Sequence, residues 1–329
     1  MILPSRPRRC IARRLTAAGI LLLGLAGCAT PPLQALVERD SAGLPQRVEL
    51  DGVPFHAQAD FQCGPAALAM VFGAAGNPIE AEALRPQVYL PGRQGSLQVE
   101  MLAAARRNGF VAIELKPRVS DLLVEIAAGN PVVVLQNLAL DWYPVWHYAV
   151  AIGYDLEANS VTLRSGSERR NEMPLGAFER TWRRSGHWAM LALVPGRIPA
   201  SVPAADYLNA VAKLERAGSL ESAQAAYEQA LERWPANLTA LIGLGNTAYQ
   251  TGDLEAAERA FRRATLAHPL SAGAHNNLAQ TLLELDRYDD ALAEARTAVG
   301  LGGPLEEVSV RTLDTIVSRT GRGEQEWHR

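Results

Sequence analysis

The chain of 329 residues is long enough for two modest domains, each with its own core. Its content of 48% hydrophobic and 20% charged residues is close to the average for soluble globular proteins, which excludes a wholly disordered chain. The formal net charge is −3. Without the five arginines of residues 1–27, 27 basic residues remain against 35 acidic ones, so the charge becomes −8 and no nucleic-acid partner is expected.

The first 27 residues have the composition of a targeting segment. Arginines between Arg6 and Arg14 precede the apolar run LTAAGILLLGLAG, whose 13 residues are too few for a membrane-spanning helix, which needs about 20. The run ends in LAGC, which resembles the lipobox of bacterial lipoproteins. The resemblance implies that residues 1–27 are a removed signal peptide, that Cys28 is lipidated and that residues 28–45 are a tether.

The same resemblance implies a location. Ala29 is not the aspartate that retains such lipoproteins in the inner membrane, so the outer membrane, facing the periplasm, is expected. The alternative is an ordinary secretory signal in which Cys28 has no role. In either case Cys10 is removed, and Cys63 has no disulfide partner within its own chain in an oxidising compartment.

The pattern of residues 46–196 predicts an α+β domain, because predicted helices come first and the strands of a mostly antiparallel sheet follow. The predicted helices are FQCGPAALAMVFGAAG, QVEMLAAARRNG and SDLLVEIAAGN. The predicted strands are RVELDGVPFHA, PVVVLQNL, HYAVAIGYD, SVTLRSG and WAMLALVP, and the third and fourth of these form a hairpin across LEAN.

Cys63 lies where the first of these helices begins. The helix dipole and the free backbone N–H groups at that end stabilise a thiolate, so the pKa of Cys63 is expected well below about 8.5. Pro65 suits the first turn of the helix, and Gly64 would let a substrate backbone come close. A buried structural cysteine is the alternative on this evidence.

A nucleophilic thiol needs a base, and histidine is scarce in this chain. His147 begins a predicted strand, from which it can face a helix N-terminus packed on the sheet. His56 precedes the cysteine helix, and His187 precedes the last strand. The remaining three lie in the C-terminal part of the chain: His268, His275 and His328.

A glutamine ahead of CGPAALAM, and HYAVAIGYD with its histidine 84 residues after the cysteine, resemble the bacteriocin-processing cysteine peptidases. The resemblance covers residues 46–194 and implies a papain-like fold, with Cys63 as the nucleophile and His147 as the general base. It also implies a glutamine side chain in the oxyanion hole. The family places that glutamine six residues before the cysteine, whereas Gln58 is five before and Gln62 one before. Gln58 is favoured, and Gln62 is the alternative.

The third member of the family's site departs from the pattern. The family has aspartate–proline on the strand after the hairpin, but this chain has LRSG, so Ser165 stands in the place of the aspartate. A serine hydroxyl can accept the Nδ1–H of His147 but does not stabilise the imidazolium by charge. The nearby alternatives are Asp155, Glu168 and Asn171.

Beyond the proline-rich segment PGRIPASVP, similar residues recur every 34 positions. This period resembles the tetratricopeptide repeat, a helical pair that stacks into a binding scaffold. The resemblance implies a linker at 197–203, three repeats at 204–303, and a capping helix and tail at 304–329. The equivalent positions are Gly218, Gly252 and Asp286; Ala223, Ala257 and Ala291; Ala230, Ala264 and Ala298; Tyr227 and Phe261; and Pro235 and Pro269.

Together these features predict a lipid-anchored thiol peptidase that acts on a peptide or protein and recruits a protein partner through its repeats. The sequence contains neither HExxH nor CxxC, so no metal or other cofactor is expected. Two alternatives stay open. One is a catalytically inactive, peptide-binding scaffold of the cell envelope, and the other is a thiol enzyme that transfers the acyl group to an amine.

Overall fold

The computed structural model of the protein describes residues 43–58 and 61–320. The expected signal peptide 1–27, the lipidation site Cys28, the tether up to residue 42 and the tail from residue 321 lie outside the described residues. In the described part, no helix combines the length and the hydropathy that a membrane crossing requires.

A seven-stranded antiparallel sheet forms the centre of the N-terminal region, and the order of its main strands is β4-β9-β5-β6-β7-β8. The first strand, β1, pairs with the far end of β6. The long strand β6 therefore lies at the middle of the sheet. The sheet strands are β1 (Arg47–Glu49), β4 (Val111–Glu114), β5 (Val132–Asn137), β6 (Trp146–Asp155), β7 (Ser160–Ser165), β8 (Glu168–Pro174) and β9 (Ala189–Leu193).

Five helices and a small hairpin accompany this sheet. The hairpin pairs β2 (Tyr89–Leu90) with β3 (Gly95–Ser96) across a short turn, Pro91–Arg93. The first helix is apolar all round and its residues 64–72 are buried, because it packs across β6 into the main core. The helices are α1 (Cys63–Ala74), α2 (Ala81–Val88), α3 (Gln98–Arg107), α4 (Val119–Ala127) and α5 (Leu175–Arg183).

The expected α+β fold is confirmed, but four strands and two helices were not predicted from the sequence, and two of those strands are the short β2 and β3 of the hairpin. Strand β4 has only four residues, too few to be told from the end of the preceding helix. Strand β8, ERRNEMP, is an edge strand with no apolar alternation, since its charged side chains face solvent. Helix α2 contains Pro86, and a proline inside a segment normally argues against a helix, so this helix was not predicted. Helix α5 does carry a signal, because Leu175, Phe178 and Trp182 share its buried face.

The C-terminal region is a series of antiparallel helical pairs, followed by a closing helix that packs on the last pair. Close packing depends on glycines that face aromatic rings. A Cβ at Gly243 would lie 2.2 Å from the ring of Tyr227, and one at Gly245 would lie 2.4 Å from the ring of Phe261. The helices are α6 (Ala204–Arg216), α7 (Leu220–Arg233), α8 (Leu238–Gln250), α9 (Leu254–Ala267), α10 (Ala272–Glu284), α11 (Tyr288–Leu301) and α12 (Glu306–Thr320).

The first helical pair packs directly on the sheet domain, and the intervening segment is held by a buried carboxylate. Glu125 is fully buried at the end of α4. Its Oε1 accepts hydrogen bonds from the backbone N–H of Ser201 at 2.6 Å and from the Ser201 hydroxyl at 2.7 Å, and its Oε2 accepts one from Asn130 at 2.6 Å. Beyond it, the Ser219 hydroxyl donates to the Arg106 carbonyl at 2.9 Å. The expected linker 197–203 is therefore anchored to the sheet domain through Ser201, and Ser219 ties the first helical pair to the same domain.

Candidate active site

Cys63 is the first residue of α1, so its own backbone N–H has no acceptor within the helix. The side chain is partly buried between the helix and strand β6. Backbone N–H groups of Tyr148, Gly64 and Cys63 itself point at the sulfur and favour its thiolate. The sulfur is thus surrounded by donors and borders on the residue that follows His147.

Tyr148 joins the sulfur and the glutamine through its backbone. Its N–H faces the Cys63 sulfur, and its carbonyl accepts a hydrogen bond from Gln58 Nε2 at 3.2 Å. The pairing of β7 with β6 begins only at Val150. The N–H and the carbonyl of Tyr148 are therefore not used by β7 and are available to Cys63 and Gln58. One strand residue therefore brings Cys63, Gln58 and His147 together.

Gln58 is held at three points. Its backbone N–H donates to the Gly166 carbonyl at 3.0 Å, and its side-chain Oε1 accepts from the Gly166 N–H at 3.1 Å. The Nε2 group gives one of its two hydrogens to Tyr148, which leaves the other for a substrate oxygen. Gln62 instead precedes α1, where its carbonyl accepts from Ala66, and its side chain makes no capping hydrogen bond.

His147 contacts Ser165, but through the other ring nitrogen than the sequence analysis assumed. Nε2 of His147 and the Ser165 hydroxyl are 2.8 Å apart, whereas the expectation named Nδ1. Ser165 is the last residue of β7, and its hydroxyl meets the imidazole ring at Nε2. Within the described residues, Nδ1 is left without a hydrogen-bond partner from the protein, so it is the nitrogen available to a thiol.

The other candidate residues lie elsewhere. His187 pairs with Glu179 at 3.2 Å and packs edge-on against Trp182. Asp155 accepts from the backbone N–H of Ala158 in the β6–β7 turn, at 2.9 Å. The cavity described in the next paragraph is not lined by His56, Glu168 or Asn171.

A cavity of about 890 Å³ contains the site. Gln58, Cys63 and His147 all line it, and Gln62 does not. Among the described residues that line it, Arg93 is the one charged side chain and none carries a carboxylate. Most of the remaining lining comes from the β2–β3 hairpin and from the segment Tyr143–Trp146, neither of which was predicted to lie at the site.

The protonation of the pair differs from the expectation. Burial raises the pKa of the Cys63 thiol, and it outweighs the lowering by the three backbone N–H groups. Burial also lowers the pKa of His147. The expected low thiol pKa was wrong because helix-end donors compensate only part of the lost solvation. The resting site therefore holds a neutral thiol beside a neutral imidazole.

Gly64 has a different role from the one expected. A Cβ at this position would lie 2.4 Å from the Ser96 hydroxyl oxygen and 2.7 Å from Ser96 Cβ. The glycine therefore admits the β2–β3 hairpin rather than a substrate backbone. The hairpin is also tied to the sheet, because the Tyr148 hydroxyl donates to the Ser96 carbonyl at 3.2 Å.

Comparison with known proteins gives matches to both regions. The Peptidase_C39 like family matches residues 50–190, and the tetratricopeptide repeat matches residues 208–265 and 242–304. A curated relative, Protein FlbA of Caulobacter vibrioides, is 32% identical over 115 residues, which cover 35% of this chain and 19% of FlbA. The chain thus spans about a fifth of the length of that relative.

Among solved structures, a chain described as a C39-like peptidase from Bacillus anthracis has 21% identity and a TM-score of 0.38, over 45% of this chain and 98% of that one. YrrB, described as a TPR protein with an unusual peptide-binding site, has 25% identity and a TM-score of 0.33, over 36% of this chain and 61% of that one. The chain therefore combines a C39-like peptidase region with a C-terminal run of tetratricopeptide repeats.

Proposed function

We propose that this chain is a thiol peptidase in which Cys63 is the nucleophile, His147 the base, and Gln58 a donor of the oxyanion hole. The observation that carries the proposal is the arrangement around Tyr148. Its N–H faces the Cys63 sulfur, its carbonyl holds the Gln58 amide, and its neighbour His147 is oriented by Ser165. All three proposed catalytic side chains face one cavity that a peptide can enter.

The first half-reaction starts from the neutral pair. As the Cys63 sulfur attacks the carbonyl carbon of the scissile amide, Nδ1 of His147 takes the thiol proton. The negative charge that develops on the carbonyl oxygen is received by the second N–H of Gln58 and the backbone N–H of Cys63. The C–N bond then breaks, the imidazolium gives its proton to the leaving amine, and a thioester remains on Cys63.

The second half-reaction regenerates the enzyme. His147, neutral again, takes a proton from a water molecule while the water oxygen attacks the thioester carbon. The same donors stabilise the second tetrahedral intermediate. The C–S bond breaks, the sulfur recovers the proton from His147, and the carboxylic acid product leaves.

Hydrolysis of a random-sequence peptide library, followed by mass spectrometry, tests the proposal. Cleavage should be lost in Cys63→Ala, and Gln58→Ala should lower kcat/KM by about 100- to 1,000-fold, the usual effect of removing one oxyanion donor. Gln62→Ala is the matched control. It removes a neighbouring glutamine that lies outside the cavity, so it should leave kcat/KM within about twofold. Cleavage that survives in Cys63→Ala, or equal losses in both glutamine variants, would contradict the proposed site.

A second candidate function is peptide binding without hydrolysis, which the hydroxyl of Ser165 in place of a carboxylate favours. Saturable peptide binding with no product and no thioester detectable by mass spectrometry would support it. Acyl transfer is distinguished in the same experiment, because added glycinamide would then appear in the product in place of water.

We also propose that lipid on Cys28 anchors the protein to the outer membrane and that the repeats bind a protein partner. The lipobox-like LAGC supports the first, and the match to the tetratricopeptide repeat supports the second. Metabolic labelling with a palmitate analogue should mark the wild-type chain and not Cys28→Ala. Label retained in that variant would rule out the proposed anchor.

A further inference from the structure

The exposed apolar side chains of the protein are concentrated beside the cavity that holds Cys63. Of fourteen large apolar side chains left exposed in the described part of the chain, six belong to the segment 138–146, here called the apolar rim, and a seventh is Phe61. Trp142 is 81% exposed and Tyr143 is 68% exposed. A cluster of this kind on a folded surface is typical of a binding site.

The apolar rim is continuous with the site. Tyr143, Val145 and Trp146 line the same cavity as the cysteine, and Trp146 directly precedes His147 on β6. The ring of Trp142 lies 6.2 Å from that of Tyr143 and extends the apolar surface outward. A ligand that contacts Tyr143, Val145 or Trp146 therefore lies in the same cavity as Cys63 and His147.

The apolar rim is held in place by a buried amide. Asn137 ends β5 and is 1% exposed. Its Oδ1 accepts from the backbone N–H groups of Ala139 at 3.1 Å and Val145 at 3.0 Å, and its Nδ2 donates to the Leu140 carbonyl at 3.3 Å. These bonds fix the rim before any ligand binds, which lowers the entropic cost of binding.

We propose that the apolar rim is a specificity subsite that binds a bulky apolar side chain of the peptide substrate beside the scissile bond. This inference rests on the proposed function and adds a substrate class to it. Charge favours a peptide over a lipid surface as the occupant. The segment carries one charged residue, Asp141, and the nearby Arg184 is engaged with Asp141 at 3.9 Å and with the Ala139 carbonyl at 2.7 Å. Anionic lipids are instead bound by clusters of free lysine and arginine side chains, whereas Arg93 is the one basic side chain among the described residues that line the cavity.

The test compares peptide pairs. The best-cleaved peptide of the library is resynthesised with its bulky apolar residue replaced by serine, and kcat/KM is measured for both. The full-length wild type should prefer the apolar peptide by about 10- to 100-fold, the range that filling an apolar pocket supplies. The preference should fall below about threefold in Tyr143→Ser. It should persist in Tyr143→Phe, which keeps the ring, and in Leu270→Ser, which removes an even more exposed apolar side chain from the repeats.

Two further arms separate the possible failures. Binding of both peptides to Cys63→Ala, followed by tryptophan fluorescence, tests the rim even if no peptide is hydrolysed. If the wild type hydrolyses no peptide, the peptidase proposal fails. Selective binding to Cys63→Ala that the added Tyr143→Ser change abolishes would still support the rim proposal. A preference absent in the wild type, or unchanged in Tyr143→Ser, overturns the rim proposal. The rim proposal is also overturned if Tyr143→Ser keeps its peptide preference but no longer associates with vesicles of phosphatidylethanolamine and phosphatidylglycerol. That result would identify the rim as a lipid contact.

Discussion

Cys63 and His147 lie in surroundings that favour their uncharged forms. The described contact of the imidazole is a hydroxyl, that of Ser165, and burial lowers the pKa of His147. The sulfur has backbone N–H donors, but its burial has the larger effect. We therefore describe the resting site as a general-base pair and not as a preformed thiolate–imidazolium ion pair.

The pH dependence of thiol alkylation follows from this description. Because the pKa of Cys63 is raised, its thiolate fraction, and hence its reaction rate with iodoacetamide, should increase with pH with a midpoint above about 8.5. Rates measured from pH 4 to 10 should show no plateau below neutrality, and His147→Ala should leave the midpoint above 8.5. A plateau near pH 5 that this variant removes would instead demonstrate an ion pair.

A carboxylate at position 165 should change that behaviour. In Ser165→Asp the negative charge stands beside Nε2 of His147, so the pKa of His147 rises towards or above its ordinary value of about 6.5. Stabilising the imidazolium by about 1.4 kcal/mol corresponds to a tenfold higher kcat/KM. The acid limb of the pH–rate profile should move to higher pH.

The matched control for this change is Ser165→Asn, which has the same shape without the charge. Its pH–rate profile should stay at the wild-type position. An equal shift in Asn and Asp variants would mean that side-chain size, and not charge, limits the site.

At the scale of elements, two turns assemble the site around β6. The β7–β8 turn contributes Ser165 to the histidine and Gly166 to Gln58, so one turn orients two of the proposed catalytic side chains. Gly166 has φ of 60°, a conformation that favours glycine. On the other side, the β2–β3 hairpin packs against Gly64 at the start of the cysteine helix.

The hairpin contact predicts the effect of a single added methyl group. Gly64→Ala would place a Cβ within 2.7 Å of two Ser96 atoms, so the hairpin or the helix end must move. We expect a loss of about 1 to 3 kcal/mol in the free energy of unfolding, measured by urea titration, together with slower peptide cleavage.

Two variants check that the clash is the cause. Gly92→Ala adds a methyl group in the same hairpin with no atom within 4 Å, and it should cost less than about 0.5 kcal/mol. The double variant Gly64→Ala/Ser96→Gly should recover much of the lost stability, because it removes the atoms in the way. If the double variant does not regain stability, the lost free energy of unfolding arises at the helix end itself.

At the scale of the molecule, the peptidase region and the repeats share an interface. Helix α6 packs on β4, Lys116 pairs with Asp206 at 3.3 Å, and the Tyr207 hydroxyl donates to the Pro195 carbonyl at 3.3 Å. If the repeats bind a protein partner, as proposed above, this interface would keep that partner near the C39-like region.

Glu125 is the buried group at this junction. Glu125→Ala leaves the donors of Ser201 and Asn130 unsatisfied, so we expect it to lower the free energy of unfolding by about 3 kcal/mol. Hydrogen exchange should become faster in both α4 and α6. Glu114→Ala, at an exposed carboxylate on the adjacent β4, should change neither quantity. Faster exchange confined to one of the two helices would show that the junction does not couple the regions.

The sequence by itself determined the α+β class, the repeats, and the candidate residues Cys63 and His147. The fold class and the repeats followed from local signals: a proline-marked helix start, alternating strands, and a period of 34 residues that each repeat carries within itself. The candidate roles of Cys63 and His147 followed from the resemblance of the motifs around them to the bacteriocin-processing cysteine peptidases. Such signals can be recognised in the sequence alone because each depends on residues that are near one another in the chain.

Only the tertiary structure decided the rest. Gln58 was favoured over Gln62 from the sequence, but the contact that holds its side chain is with Gly166, which lies 108 residues further along the chain. The ring nitrogen that faces Ser165 depends on where β7 leaves the sheet, and the direction of both pKa shifts depends on how much solvent the fold removes. These are properties of contacts between distant segments and of their burial, and no local pattern encodes them.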